Sequence, residues 1–319
     1  MSRGLGDVYK RQGIGSEYET LLKAFDRENE VFKKRVGKDR VMATYRARVR
    51  ARNHVAAFIK SFYRRSDMSM LELTPDFIKE FAAYLSTEAG LRNGSIWANC
   101  MWLKGVVMKA HYNGLIPRNP FIQFHISPNV KEREYLTEDE LKAVMTHEFA
   151  DSKLAYIRDI FIFASFTALS FVDIQELTND NIVEVNGEKW ILSKRHKTKV
   201  AFQVKLLDIP LQIVERYRPM QKDNRIFPGL NYWSICKPLK RMIRECGITK
   251  SISFHCSRHG FATLALSKGM PIESVSRVLG HTNIVTTQLY AKITTQKLDN
   301  DLTMFGDKLS KTFNGITMS

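Results

Sequence analysis

Residues 255–291 read HCSRHGFATLALSKGMPIESVSRVLGHTNIVTTQLYA, and three polar signatures follow one another in that stretch. The first is His255-Cys256-Ser257-Arg258-His259, the second Leu279-Gly280-His281, and the third Tyr290, nine residues after the last histidine. Phe261, Ala262 and Leu264 behind the first signature keep a helical period. On that helix His255 and Arg258, three apart, share a face. Upstream, Arg195-His196-Lys197-Thr198 forms the loop between two expected strands.

Each of these residue types suits displacement at a phosphodiester. That reaction needs a nucleophile, cations on the non-bridging oxygens and a proton for the departing oxygen. Tyr290 can attack phosphorus and keep the bond energy in a covalent intermediate. Arg258 offers a planar fork to two phosphate oxygens. His255 can bond phosphate or move a proton, and His281 can add a donor. Lys197, on a hairpin tip, can protonate the leaving 5′-oxygen as general acid. The scheme calls for no metal and no cofactor. His255 and His259 have a metal-ligand spacing, but Cys256 stands where the glutamate of H-E-x-x-H would be.

Outward from this stretch the pattern is mainly helical with a small β-sheet. From Tyr18 to about Tyr63 the apolar residues keep a helical period, with Leu21, Leu22, Phe25 and then Val55, Phe58, Ile59, Phe62. Arg46, Arg48, Arg50 and Arg52 form two i,i+4 pairs there, and with few acids nearby they are expected to touch DNA phosphates. Thr74-Pro75 opens a further helix. Ile96 to Val107 forms another, ended by Asn113-Gly114. Pro128 to Glu134 reads as a linker, and Thr137-Glu138-Asp139-Glu140 as a capping box that starts a new domain. Ile157 to Phe166 is an apolar helix. Asn186-Gly187 between β-rich runs marks a hairpin, with Ala201–Leu206 as a third strand. Helical periodicity returns from Leu211 to the tail.

The 319 residues carry 49 Lys+Arg against 33 Asp+Glu, a net charge of +16, with a pI near 9.7. An excess of this size points to a polyanionic partner. Residues 1–130 hold +10 of it and residues 131–319 hold +6, as suits two domains gripping one polyanion. The longest uncharged apolar stretch, Ile160 to Val172, is 13 residues, too short to span a bilayer. Cys100, Cys236, Cys246 and Cys256 form no C-x-x-C pair. With no secretory signal, reduced thiols in a cytoplasm are expected, with DNA as partner and no membrane. Met1 to Gln12 resembles a translated sequencing-library adapter and stands outside the fold reading, with the native N-terminus expected upstream.

The ordered set Lys197, H-x-x-R, L-G-H and Tyr290 resembles the tyrosine recombinases of the phage-integrase type over about residues 17–310. It is most similar to integrases of conjugative transposons and related mobile elements of Bacteroidetes. The resemblance implies a helical core-binding (SAM-like) domain over 13–127 and a linker over 128–135. A mixed α/β catalytic domain over 136–310 and a flexible tail over 311–319 complete it. It implies that the two domains form a C-shaped clamp on duplex DNA. It implies Tyr290 as nucleophile, Lys197 as general acid, and His255, Arg258 and His281 as the phosphate-binding and proton-handling set. The chemistry implied is site-specific cleavage and rejoining through a 3′-phosphotyrosine, for integration, excision or inversion of a mobile element. A homo-tetramer on two DNA sites, accessory DNA-bending or excision factors and a nucleoid-associated cytoplasmic location go with it. Ile293, Leu298, Leu302 and Phe305 form an apolar stripe expected to dock in a neighbouring subunit. Integrases of this branch commonly carry an arm-binding domain before the core-binding one.

One departure matters. The family pattern T-G-L-R is followed by an acid, and this chain reads Thr167-Ala168-Leu169-Ser170-Phe171-Val172-Asp173. Asp173 matches as the supporting acid, but Ser170 stands where the first catalytic arginine belongs. Losing one such donor costs on the order of 3–4 kcal/mol. Either another cation replaces it, with Lys194 and Arg195 the local candidates, or the chain is a catalytically impaired DNA-binding relative. A type IB topoisomerase-like enzyme is the third alternative.

Overall fold

The computed structural model describes residues 19–128, 134–196, 199–221, 223–290 and 295–313. Met1–Gln12, Lys197, Ile293 and the end of the tail lie outside them. The chain divides into two units, 1–131 and 132–319.

In the first unit the helical period from Tyr18 to Tyr63 becomes two helices, α1 (Leu21–Lys33) and α2 (Met42–Tyr63). The break has a local cause. Gly37 takes φ +86°, which no helix allows, and its amide closes a turn onto the Arg40 carbonyl. Helix α3 (Pro75–Thr87) starts where Thr74 Oγ1 accepts from the Phe77 amide at 3.2 Å with proline at the first position. Helix α4 (Asn93–Tyr112) ends at Asn113, with Gly114 at φ +73°. Phe58 lies at the centre of this unit, its ring 5.2 Å from Phe77 and 5.5 Å from Phe81. Leu21, Phe25, Val55, Ile59 and Leu103 are as fully buried around it, so truncating Phe58 to alanine would cost about 3–5 kcal/mol.

The second unit opens with α5 (Glu138–Thr146). Thr137 caps it, donating its own amide to Glu140 at 2.7 Å while its hydroxyl accepts from the Glu140 amide, the expected box. Helix α6 (Ser152–Thr167) is apolar on nearly all sides because it is the centre of the unit: Leu154, Ile157, Ile160, Phe161 and Phe163 are all buried. It ends at Ala168, whose φ of +56° is left-handed and whose methyl packs with Ala262, Leu266, Val275 and Leu279. Its one buried carboxylate, Asp159, accepts from Arg158, Arg216 and the Tyr217 hydroxyl, as a buried charge must.

After the short helix α7 (Phe171–Gln175), β1 (Ile182–Val185), β2 (Glu188–Lys194) and β3 (Ala201–Lys205) form one antiparallel sheet in chain order. Asn186 and Gly187 both have positive φ and join Val185 to Glu188 in a two-residue hairpin. Then come α8 (Asp208–Tyr217), α9 (Tyr232–Glu245), α10 (His255–Ser267), α11 (Ile272–Leu279), the short α12 (Val285–Gln288) and α13 (Thr295–Thr312). No described helix is long and apolar enough to cross a membrane.

Candidate active site

Ser170 caps α7 rather than reaching outward. Its hydroxyl donates to Asp173 Oδ2 at 2.8 Å, and its amide donates to the same oxygen. Asp173 is thereby a hub. Oδ2 also accepts from Arg195 Nη1 at 2.9 Å, and Oδ1 accepts from the His196 amide at 2.9 Å. Burial works to raise the Asp173 carboxyl. The His196 amide, the Ser170 hydroxyl and the Arg195 guanidinium outweigh it and hold the group below the usual carboxylate range.

Arg195, one of the two local candidates, is the partner of Asp173. Strand alternation places Lys194 in solvent and Arg195 inside, 5% exposed. Its guanidinium lies 4.1 Å from the centre of the Phe202 ring, and Nη2 donates to the Val278 carbonyl. Nε is buried without a partner among the described residues. Gly280 makes this path possible: a Cβ there would lie 2.9 Å from Arg195 Nε, and its φ of +63° is itself left-handed.

Arg258 comes to the same place from α10. Nη1 donates to the Ala168 carbonyl at 2.8 Å and Nη2 to the Leu279 carbonyl. Burial, then the neighbouring Arg195 charge, lowers its pKa to about 10, with Tyr290 and Asp173 working the other way. Two guanidiniums are thus neighbours and largely buried, Arg258 tied to two backbone carbonyls and Arg195 to one carbonyl and the Asp173 carboxylate. Asp173 offsets part of their mutual repulsion, and a bound anion would offset more.

His281, His255 and Tyr290 lie near this pair. His281 Nδ1 meets Thr287 Oγ1 at 2.9 Å. Burial, then Arg258, Arg195 and His255, lowers the His281 imidazole to about 4, so the ring is neutral at physiological pH. Tyr290 is partly exposed. Its ring is 5.1 Å from that of His259, which lies edge-on to His255 at 4.7 Å. Tyr290 donates its amide to the Thr287 carbonyl at 3.0 Å. The general acid expected at Lys197 is outside the described residues. The residue before it, His196, is pinned by its amide to Asp173 and by its ring to Glu176 at 2.8 Å.

The four arginines of the first unit divide. Two residues along a helix turn it by about 200°, so Arg46 and Arg50 share one face and Arg48 and Arg52 another. Arg48 is held between Phe32 and Trp102, 5.1 and 5.2 Å from their ring centres, with Nε donating to the buried Asn29. Arg52 makes a two-bond pair with Asp26 at 2.8 and 2.7 Å. Arg46 and Arg50 are exposed.

Sequence reading left Arg195 as one of two options and passed over Thr287. It also passed over Lys237, Lys240, Arg241 and Arg244, which line one concave patch of α9. The i, i+3, i+4, i+7 spacing of those four was the available signal.

The chain matches two family models, the phage integrase SAM-like domain over residues 20–126 and the phage integrase family over residues 134–297. It is 32% identical to the tyrosine recombinase XerA of Pyrococcus horikoshii over 177 residues, which is 51% of this chain and 58% of that protein. It is 25% identical to XerC of Lactobacillus leichmannii over 67% of this chain and 77% of that one. In fold it is similar to the Tn1549 transposon integrase in complex with circular intermediate DNA, with a TM-score of 0.74 at 16% identity, covering 89% of this chain and 99% of that one. It is also similar to a lambda integrase dimer bound to a core site, with a TM-score of 0.67 at 17% identity, covering 91% and 81%. With a family model spanning residues 134–297 and the family's polar signatures gathered around one arginine pair, the chain belongs to the phage integrase family of tyrosine recombinases.

Proposed function

We propose that this tyrosine recombinase cleaves and rejoins duplex DNA at specific sites through Tyr290. The phenolic oxygen, passing its proton to His255, forms a bond to the scissile phosphorus as the bond to the 5′-oxygen breaks, leaving a 3′-phosphotyrosine. Lys197 protonates the departing 5′-oxygen. Rejoining runs the same step backwards, with the 5′-hydroxyl of the new strand displacing the tyrosine. Arg258 and Arg195 take the non-bridging oxygens and neutralise the charge that builds on them. His281 and His255 add hydrogen bonds, and Asp173 holds Arg195 in place.

One observation carries this reading above the impaired-relative alternative: a second buried guanidinium, Arg195, stands beside Arg258 although Ser170 cannot supply one. Ser170 instead supports the acid that orients the replacement.

Residues 13–127 act as the core-binding domain, with Arg46 and Arg50 on phosphates, and residues 136–310 as the catalytic domain. The working unit is a homo-tetramer on two DNA sites. Its linking element is α13, whose Leu298, Leu302 and Phe305 are about half exposed and suited to dock in a neighbouring copy. Accessory bending or excision factors and a nucleoid-associated cytoplasmic setting fit the integrase of a mobile element of the Bacteroidetes type.

The test is a nicked suicide duplex built from the flanks of the gene. Wild-type protein traps itself on the DNA, whereas Tyr290→Phe binds equally and forms no covalent adduct. Adducts surviving in the variant would overturn Tyr290 as nucleophile.

A further inference from the structure

Thr287 is fully buried, and its hydroxyl has one hydrogen-bond partner among the described residues, Nδ1 of His281 at 2.9 Å. A threonine hydroxyl carries one proton, and a buried one is not left without an acceptor. A helical threonine often turns that proton to a carbonyl three or four residues back, but no such bond is present among the described residues. Among the described residues, Nδ1 is thus the acceptor available to that proton.

We infer that Thr287 selects the tautomer of His281. By donating to Nδ1 it forces the ring proton onto Nε2, so that His281 presents a hydrogen-bond donor to the scissile phosphate. The opposite tautomer would present a lone pair to an anion and repel it. This inference rests on the reading above that His281 contacts phosphate.

Two further observations agree with it. Burial, then the charges of Arg258, Arg195 and His255, keeps the ring neutral, so a tautomer must be chosen rather than both nitrogens being protonated. Thr287 also accepts the Tyr290 amide through its backbone carbonyl at 3.0 Å. One residue thus sets the donor with its side chain and holds the nucleophile with its main chain. Thr287 is a positioning residue: it acts through His281 and does not touch the phosphate.

Long-range proton–nitrogen correlation spectra of the full chain labelled at its histidines report the tautomer directly, with His281→Gln supplying the assignment. The expected result is a pyridine-type Nδ1 and a pyrrole-type Nε2 for His281 in wild type and in Thr287→Ser. In Thr287→Val, which keeps the shape but not the proton, the pattern is mixed or reversed. Cleavage of the suicide duplex then falls on the order of 10- to 100-fold at unchanged DNA affinity, and Thr287→Ser retains activity. A pyrrole-type Nδ1 in wild type overturns the inference even if Thr287→Val does not fold. So does a Thr287→Val protein with wild-type tautomer and rate. If the tautomer is as expected but His281→Gln cleaves at the wild-type rate, the failure lies in the role given to His281, and the functional half of the inference falls with it.

Discussion

Arg48 in the first unit and Arg195 in the second are both drawn out of water and laid on aromatic rings, yet they do opposite things. Arg48 has two rings to pack against and a neutral amide, Asn29, on its Nε. Burial lowers its pKa, and the Glu28 carboxylate nearby works the other way. Arg195 is tied to Asp173 and a carbonyl, keeps a buried Nε with no partner among the described residues, and stands beside a second guanidinium. Arg48 is held mainly by ring packing and one amide. Arg195 is fixed by a carboxylate yet set against a second guanidinium, an arrangement that a bound anion would favour.

The largest test of this contrast is Arg195→Ala. If Arg195 replaces the arginine missing at Ser170, cleavage of a suicide duplex per folded molecule falls on the order of 10²- to 10³-fold, and the unfolding midpoint drops as well because the buried Asp173 loses its charge partner. A variant that cleaves at the wild-type rate would return Arg195 to the class of Arg48. The mirror-image experiment is Arg48→Ala. It strips two ring contacts and leaves the buried Asn29 oxygen unpaired, costing roughly 2–4 kcal/mol. Denaturant unfolding should register that loss, and cleavage per folded molecule should stay constant. A stable Arg48→Ala protein with weakened DNA binding would instead make Arg48 a phosphate contact.

A smaller effect separates the two faces of α2. Replacing Arg46 and Arg50 should lower the slope of log affinity against log salt by nearly one unit for each phosphate no longer neutralised. Arg52→Ala, which removes a partner of Asp26, should leave that slope close to wild type. Equal slope changes for both would mean that the Asp26 pair opens on DNA.

Local rules written within a few residues were readable because nothing distant decides them. The Thr137 capping box, the Asn186-Gly187 hairpin and the order of His255, Arg258, His281 and Tyr290 depend on spacing alone. The helical period from Tyr18 to Tyr63 was readable as apolar faces but not as two helices. A single left-handed Gly37 interrupts it, and a glycine within a periodic run carries no mark of its φ. The Arg46 to Arg52 run was readable as charge but not as function. Its two faces meet different neighbours, Asp26, Phe32 and Trp102, that lie far off in the chain.

A mainly helical, two-part, basic chain carrying the ordered side chains of a tyrosine recombinase is legible from one dimension alone. Periodicity, caps and motif spacing survive in one dimension, and so do those features. Only the folded chain brings Arg195 beside Arg258 and Asp173, and sets the Thr287 hydroxyl against Nδ1 of His281. Arg195 meets Asp173 from 22 residues away and the Val278 carbonyl from 83. The cost or benefit of a charge is set by the dielectric and the partners around it, and those exist only once the chain has folded.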